Sequence, residues 1–370
     1  MKTRKRVVVI GAGIIGVSTA LELARAGADV VLVDEKSLAN GATGRSLSWL
    51  NSSGTYSAAY HRLRSLGIDR YRTRAAADAK SDYLRFDGGL RWMTAEGSPA
   101  LRELFEHESR LGYDARWLAP AQIAAETPGV NAAAVDSAGA IFNPGEGWVD
   151  LVALVHDLAQ DFLALGGKLM QQAGPTEVIA TGSRATGVLT ADGSRIDADA
   201  VLVATGAAVP AMVHRMGVEL PAQTTNALLV RTTKVHLGLR AVLNTPRVSL
   251  RPAPGGALVM DAGWSGRAVV EQDGRWEVPD GVVDTLLAEA SRVLEGHPLL
   301  ELDRYFVGTK PIPGDGEPVL GALDSVEGCY VAFTHSGATI GLIAGELLAH
   351  EIVHGTQHPL LAAFRASRFT

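Results

Sequence analysis

One cysteine, Cys329, stands in a chain of 370 residues, which excludes an internal disulfide framework and suits a reducing cytosol. No apolar stretch runs long enough without interruption to span a bilayer. Neither sign of charge is in large excess. Lysine and arginine number 34 against 40 acids, a net charge of −6, so nothing in the overall balance suggests a nucleic-acid or membrane partner. Internal repeats and low-complexity segments are absent. The charged fraction of 20% is slightly low, and the apolar fraction of 47% is ordinary for a globular protein with a large core. The length leaves room for two or three domains. The N-terminus, MKTRKRVVVIGAG, has the outline of a signal peptide, but its apolar run is too short and its glycines have another explanation. It reads as the first strand of a cytoplasmic protein.

That explanation is the segment VVVIGAGIIG at 7–16, followed by VVLVD at 30–34. Val7 to Ile10 is a short β-branched run of the kind found in buried parallel strands. Gly11, Gly13 and Gly16 give the G-x-G-x-x-G spacing: a tight turn, a close backbone approach to a pyrophosphate, and close helix–strand packing. The helix N-terminus that follows, with Ile14 and Ile15 in its first turn, offers unpaired N–H groups to phosphates. Asp34 closes the second strand 23 residues after Gly11, a spacing that suits an acid on ribose hydroxyls, with Glu35 and Lys36 next to it. A plain strand–helix turn would leave the acid and its spacing to coincidence. The motif predicts dinucleotide binding.

Further along, Ser18 to Ala26 continues the first helix and Gly27 caps it. The loop GATGRSLSWLNSSG (41–54) is rich in small residues and suited to run close to a ligand. Residues 58–79 read as a basic helix whose Arg62, Arg64, Arg70, Arg72 and Arg74 form a solvated face. More helices are expected at 99–111 and 120–126, and an amphipathic one in 145–169 that ends at Gly166-Gly167. Short strands follow at 176–180, 184–190 and 199–204. The pattern between 223 and 262 is antiparallel, with a turn at 254–256. A helix near 281–295, a strand at 330–333 and a last helix from about 338 to 354 complete the series.

In their order and spacing, GAGIIGVSTALELARAGADVVLVD, GATGRS, GEGWVD, VLVATG, PGDGEPVLG and FTHSGATIG resemble the FAD-dependent amine and amino-acid oxidases of the D-amino-acid oxidase, glycine oxidase and sarcosine oxidase group. The resemblance spans nearly the whole chain. It implies an α/β (α+β) fold: a Rossmann-like FAD-binding domain at 1–80, 145–220 and 305–370, with an inserted antiparallel-sheet substrate domain at 81–144 and 221–304. The nucleotide turn and Asp34 would hold the ADP half of FAD. Thr43, Gly44, Arg45 and Ser46 would wrap the pyrophosphate and flavin edge, Val178 would frame the adenine, and Thr205-Gly206 would line the pyrophosphate path. His335, Ser336, Gly337, Ala338 and Thr339 would start the last helix against the flavin N1–C2=O edge, where a helix N-terminus stabilises negative charge.

The implied chemistry is amine dehydrogenation. The substrate's α-carbon loses a hydride to the flavin, its nitrogen becomes an imine that hydrolyses, and O₂ accepts the electrons to give H₂O₂. Positioning and flavin electrostatics carry the reaction, and no dedicated base is required. The expected substrate is a glycine or N-substituted glycine, giving glyoxylate and an amine in a step that fits biosynthetic trimming. D-amino-acid or sarcosine-type oxidation is the alternative.

The chain departs from the family pattern at Gly308-Thr309-Lys310-Pro311, where the G-x-R-P arginine that clamps a carboxylate is a lysine. Lysine keeps the charge and loses the fork. Lys310 could still pair with a carboxylate, Arg45 or Arg251 could take it, or the substrate could lack one. Asn51 and His335 are further candidates for the substrate wall. VGTKPIPGD carries no cysteine for a covalent flavin link, so FAD is expected to be non-covalent, with Cys329 a core thiol. No metal is expected. Three rivals stand beside this reading: an NAD(P)-dependent dehydrogenase sharing the nucleotide turn, a flavin-binding scaffold without activity, and a zinc hydrolase suggested by His350-Glu351-Ile352-Val353-His354. The last lacks a clear third ligand, since Gly355 ends the helix before His358.

Overall fold

The computed structural model describes residues 4–77, 81–273 and 275–369. By internal contacts the chain forms two compact units, Met1–Gly44, Leu151–Thr225 and Thr309–Thr370 in one, Arg45–Asp150 and Asn226–Gly308 in the other.

The first unit is built on a six-stranded sheet. Strand β1 (Arg6–Ile10) lies at its centre, with β2 (Asp29–Val33) and then Lys168–Met170 on one side. On the other side lie Ala200–Val203, Cys329–Phe333 and the edge strand Val319–Ala322. The edge strand is antiparallel and the other pairings are parallel. Residues 7–10 and 200–203 are buried almost completely, as the β-branched runs required. The chain leaves β1 toward one side and returns on the other, so a topological switch point lies beyond the carboxyl ends of β1 and Ala200–Val203.

Gly11 stands at that point with φ +103°, and a Cβ there would come within 2.5 Å of the Ala204 carbonyl oxygen. Helix α1 (Ile14–Arg25) starts at once, and a Cβ on Gly16 would run into the Gly11 carbonyl. A Cβ at Gly341 of the last helix (Gly337–His354) would lie 2.6 Å from Ile14 Cγ1, and one at Gly345 would lie 2.6 Å from Ser18 Cβ. Glycines four apart thus let the last helix lie against α1 with little side chain between them.

The second unit holds an eight-stranded sheet in the order Leu302–Lys310, Thr225–Thr232, Leu258–Asp261, Ser249–Pro252, Val242–Asn244, Gly89–Arg91, Ala140–Asn143, Arg116–Leu118. The antiparallel middle expected between 223 and 262 is there, and helix Val282–Arg292 packs Leu286 and Ala290 into the same core as Leu228, Leu250 and Met260. A smaller sheet pairs Trp49–Leu50 and Leu84–Arg85 with Gly147–Val149. The helix expected within 145–169 therefore begins only at Leu151, because Trp148 is taken into cross-strand pairing with Trp49.

Helix α2 (Ala58–Ala77) corrects one expectation; residues 78 and 79 of the expected span lie outside the described residues. Arg62 and Arg72 are exposed, but Arg64 is 2% exposed. It falls in the stripe Tyr60, Arg64, Gly67, Ile68, Tyr71 that faces the core. Among the described residues no helix is long and apolar enough to cross a membrane.

Candidate functional site

The switch point of the first unit gathers the residues expected to hold a dinucleotide. The Ala12 N–H donates to Asp34 Oδ2 at 2.7 Å, and the Lys36 N–H donates to Oδ1 at 2.8 Å. Asp34 thus has one backbone donor on each oxygen and keeps acceptor capacity on both. The Glu35 and Lys36 side chains are exposed, and their carbonyls accept from Gly174 and Gln172. Gly13 caps α1 without a side chain, the Ile14 N–H donates to Thr43 Oγ1 at 3.1 Å, and the Ile15 and Gly16 amides have no intrahelical acceptor. Thr43 and Gly44 lie in a short 3-10 turn, Ala42–Arg45, folded back toward α1.

Thr205 Oγ1 is buried with no hydrogen-bond partner, next to Gly206 with φ +61°. Val178 is half-buried on the antiparallel strand Glu177–Thr181. The last helix opens at Ser336 with no side-chain cap hydrogen bond; Gly337 and Ala338 are half-buried, Thr339 is buried and His335 is exposed. The N-terminal ends of α1 and the last helix are brought side by side by the glycine contacts described above. This is a cradle for a long, doubly anionic ligand.

The second unit carries Arg45, Ser46, Asn51 and Arg251, and Lys310 belongs to the first. Arg45 is half-buried, and burial lowers its pKa; a Cβ on Gly308 would lie 2.5 Å from Arg45 Cδ, so the glycine of G-T-K-P makes room for the arginine stem. Ser46 Oγ accepts from the Ser48 N–H at 3.0 Å, and Ser48 holds a left-handed φ of +58°. The Asn51 amide is held from both ends. Its Nδ2 donates to the Trp49 carbonyl at 3.1 Å, and its Oδ1 accepts from Arg64 Nη2 at 2.9 Å. Arg64 in turn lies over the Tyr56 ring, 4.3 Å from its centroid.

Arg251, on strand Ser249–Pro252, is 3% exposed. Its Nε donates to the Leu47 carbonyl and its Nη1 to the Pro252 carbonyl at 2.8 Å, and its guanidinium lies 5.1 Å from the Trp148 ring centroid. No ion pair among the described residues includes it. Burial pulls its pKa down to about 10, with Asp150 opposing and Arg231 adding to the shift. Lys310, at the end of strand Leu302–Lys310, is half-buried.

The H-E-x-x-H segment is not arranged for metal-assisted hydrolysis. His350 and His354 do share a face, with ring centroids 4.6 Å apart. Glu351 points the other way: it is 2% exposed and pairs with Arg365 through contacts of 2.6 and 2.8 Å. Among the described residues no group of three or more His, Cys, Asp or Glu is placed to hold a metal ion.

The family model described as "FAD dependent oxidoreductase" matches residues 6–351. The chain belongs to this family of FAD-dependent oxidoreductases. Its relatives include the glycine oxidase of Bacillus licheniformis, 23% identical over 100% of this chain and 98% of that protein. Another is the D-amino acid dehydrogenase of Cereibacter sphaeroides, 27% identical over 85% of this chain and 84% of that one. Among solved structures, glycine oxidase from Geobacillus kaustophilus superposes with a TM-score of 0.83 at 23% identity, covering 98% of this chain and 99% of that one. Iminodiacetate oxidase from Chelativorans sp. BNC1 gives 0.80 at 22% identity, covering 97% and 98%.

The cofactor of this oxidoreductase is FAD, as the resemblance implied, and the nicotinamide rival falls away. The residues present fit it: the orphaned Thr205 hydroxyl, the free acceptor capacity of Asp34 and two helix N-termini whose N-cap residues make no side-chain cap suit an ADP group and an electron-rich ring. When bound, FAD supplies the two-electron acceptor for oxidation of an amino acid or amine. Glu146 and Tyr113 of the second unit went unread in the sequence, and Arg64 was read only as a surface charge. Buried Arg64, Glu146 and His61 form a polar cluster with half-buried Tyr113 and Trp49. The one available signal was the place of Arg64 in the apolar stripe of α2.

Proposed function

We propose that this FAD enzyme oxidises the C–N bond of a carboxylated amine, a glycine or N-substituted glycine, and that Arg251 receives the carboxylate. The buried guanidinium of Arg251, hydrogen-bonded to main-chain carbonyls and in ion-pair contact with no carboxylate among the described residues, carries this reading. Of its five N–H donors two are committed to main-chain carbonyls, and three remain for a ligand. A desolvated cation without a counter-ion is unfavourable, and a planar carboxylate offers charge and matching geometry together. Asn51 and Arg45, of the same unit as Arg251, are the further wall residues of this reading. The glycine oxidases among the relatives and the iminodiacetate oxidase among the structures support a small carboxylated amine.

In the proposed reaction the substrate nitrogen, entering as the neutral amine, gains a double bond to its α-carbon as a hydride leaves that carbon and a proton leaves the nitrogen. Water adds to the imine and releases glyoxylate and the amine. Dioxygen takes the two electrons and two protons as H₂O₂. The FAD is held without a covalent bond: Cys329 is buried and burial pushes its thiol up to about 12, so it offers no thiolate. The enzyme works in the cytoplasm, consistent with that reduced thiol.

Anaerobic addition of glycine, sarcosine or bulkier N-alkyl glycines to the purified holoenzyme is the test. Bleaching of the flavin bands by one of these, with glyoxylate formed on admitting air, is expected. Bleaching by D-amino acids alone would reassign the substrate, reoxidation only by an added acceptor would make the enzyme a dehydrogenase, and no bleaching would sink the reading.

A further inference from the structure

Glu146 is fully buried between Asn143 and strand Gly147–Val149 and grips two side chains of other segments. Its Oε2 accepts from the Trp49 indole N–H at 2.8 Å, and its Oε1 accepts from the Tyr113 hydroxyl at 2.6 Å. Tyr113 oxygen in turn accepts from the Ser52 N–H at 2.9 Å, and Ser52 Oγ shares a hydrogen bond with His61 Nδ1 at 2.8 Å. Glu146 therefore ties both ends of the stretch Trp49–Ser52. A glycine opposite keeps the space open, since a Cβ on Gly89 would collide with the Glu146 carboxylate.

The stretch so fixed leads to Arg251 by two routes. Leu47, two residues before Trp49, supplies the carbonyl that accepts from Arg251 Nε. Trp49 is the cross-strand partner of Trp148, the ring over which the Arg251 guanidinium lies. We infer that Glu146 is a positioning residue for the carboxylate clamp, holding the Arg251 guanidinium in place through the Trp49 segment. The inference rests on the reading of Arg251 given above.

The charge state of Glu146 matters to this grip. Trp49 N–H, Tyr113 O–H and Ser52 N–H are three donors, and the carboxylate with the Tyr113 oxygen accepts all of them. Protonation of Glu146 turns one of its two oxygens from a charged acceptor into a donor facing the Trp49 or Tyr113 donor, which weakens the grip. Burial pushes Glu146 up to about 8; Glu108 of helix α3 (Ser98–Arg110) adds to this, and the Tyr113 and Trp49 hydrogen bonds and Arg91 oppose it. On the α2 side, burial, Arg64 and His107 lower the His61 pKa, which keeps that ring neutral at pH 7. The grip is thus fullest above about pH 8.

The experiment measures the Kd of acetate and benzoate, which carry no titrating amine, by perturbation of the flavin spectrum of holoenzyme from pH 6.5 to 9.5 (about three decades of proton activity). Wild type is expected to bind more tightly as pH rises through about 8. E146Q, which has a single acceptor oxygen, is expected to bind about tenfold more weakly at high pH and to lose the pH dependence, with FAD occupancy unchanged. W49F removes the donor from the opposite side and is expected to weaken binding to a similar degree, which keeps the test available if E146Q does not fold. Equal Kd values and pH profiles in E146Q and wild type would overturn the positioning role. Failure of wild-type holoenzyme to bind either carboxylate would overturn the Arg251 reading itself, and this inference with it.

Discussion

Replacing Arg251 by methionine separates a ligand-binding guanidinium from a structural one. The side chain is 3% exposed, has no carboxylate partner and keeps three donors free after serving Leu47 and Pro252. In the unliganded enzyme the charge is a burden: burial, aided by Arg231 and opposed by Asp150, pulls its pKa down to about 10. A methionine of similar length removes that burden at the cost of two hydrogen bonds to main-chain carbonyls, roughly 1 kcal/mol each. Folding stability is therefore expected to change little, by under about 2 kcal/mol. Binding is another matter. Two charge-assisted hydrogen bonds from a buried guanidinium to a carboxylate are worth about 2–5 kcal/mol, or roughly 30-fold to several thousand-fold in Kd. R251K keeps charge without the fork and is expected to lie between. The assay is anaerobic stopped-flow reduction of the flavin over a range of substrate, with and without the carboxylate on the amine. A selective loss for carboxylated amines, with the melting temperature held, is expected. Affinity for carboxylates within about threefold of wild type in R251M would refute the clamp, and so would an equal loss for amines with and without the carboxylate.

D34A removes the acceptor of the Ala12 and Lys36 amides and the proposed ribose contact together. FAD affinity is expected to fall about 10- to 100-fold, read as a lower visible-to-ultraviolet absorbance ratio after dialysis; full retention of FAD would count against the assignment. G345A would place a methyl 2.6 Å from Ser18 Cβ in the crossing of α1 and the last helix. It is expected to cost about 1–3 kcal/mol and several degrees of Tm in a thermal melt. E351A leaves Arg365 buried without its partner and is expected to destabilise by roughly 3–5 kcal/mol, with much of the loss restored in the double variant E351A/R365M. A denaturant titration in which E351A matches wild type would show the pair to be dispensable.

The nucleotide half of the site was legible because its physics is local. Gly11, Gly13 and Gly16 sit within one turn of chain, and the acid they need follows at the end of the next strand. Glycine at 341 and 345 was visible but not its purpose, since the need for bare backbone exists only where α1 crosses the last helix. Arg64 misled for a similar reason. Of the five arginines read together on α2, Arg62 and Arg72 are exposed and Arg70 and Arg74 half-buried, and the 3.6-residue period turns Arg64 inward between Tyr60 and Ile68.

From the sequence alone came the family, the FAD cofactor and the strand–helix–strand unit that opens the chain, all carried by contiguous segments whose spacing encodes a turn, a strand period or a helix end. The local pattern could not say that the acid of a metal-like helix motif turns inward. In the H-E-x-x-H segment, Glu351 is claimed by Arg365, fourteen residues away. Nor could it show that Arg251 is buried with main-chain carbonyls and a ring for contacts and Asp150 acting on it only at longer range, because those residues are brought to it from about 100 to 200 positions upstream. Burial and partnership are sums over distant chain. They decide which charges are costly enough to await a ligand, and only the tertiary structure performs that sum.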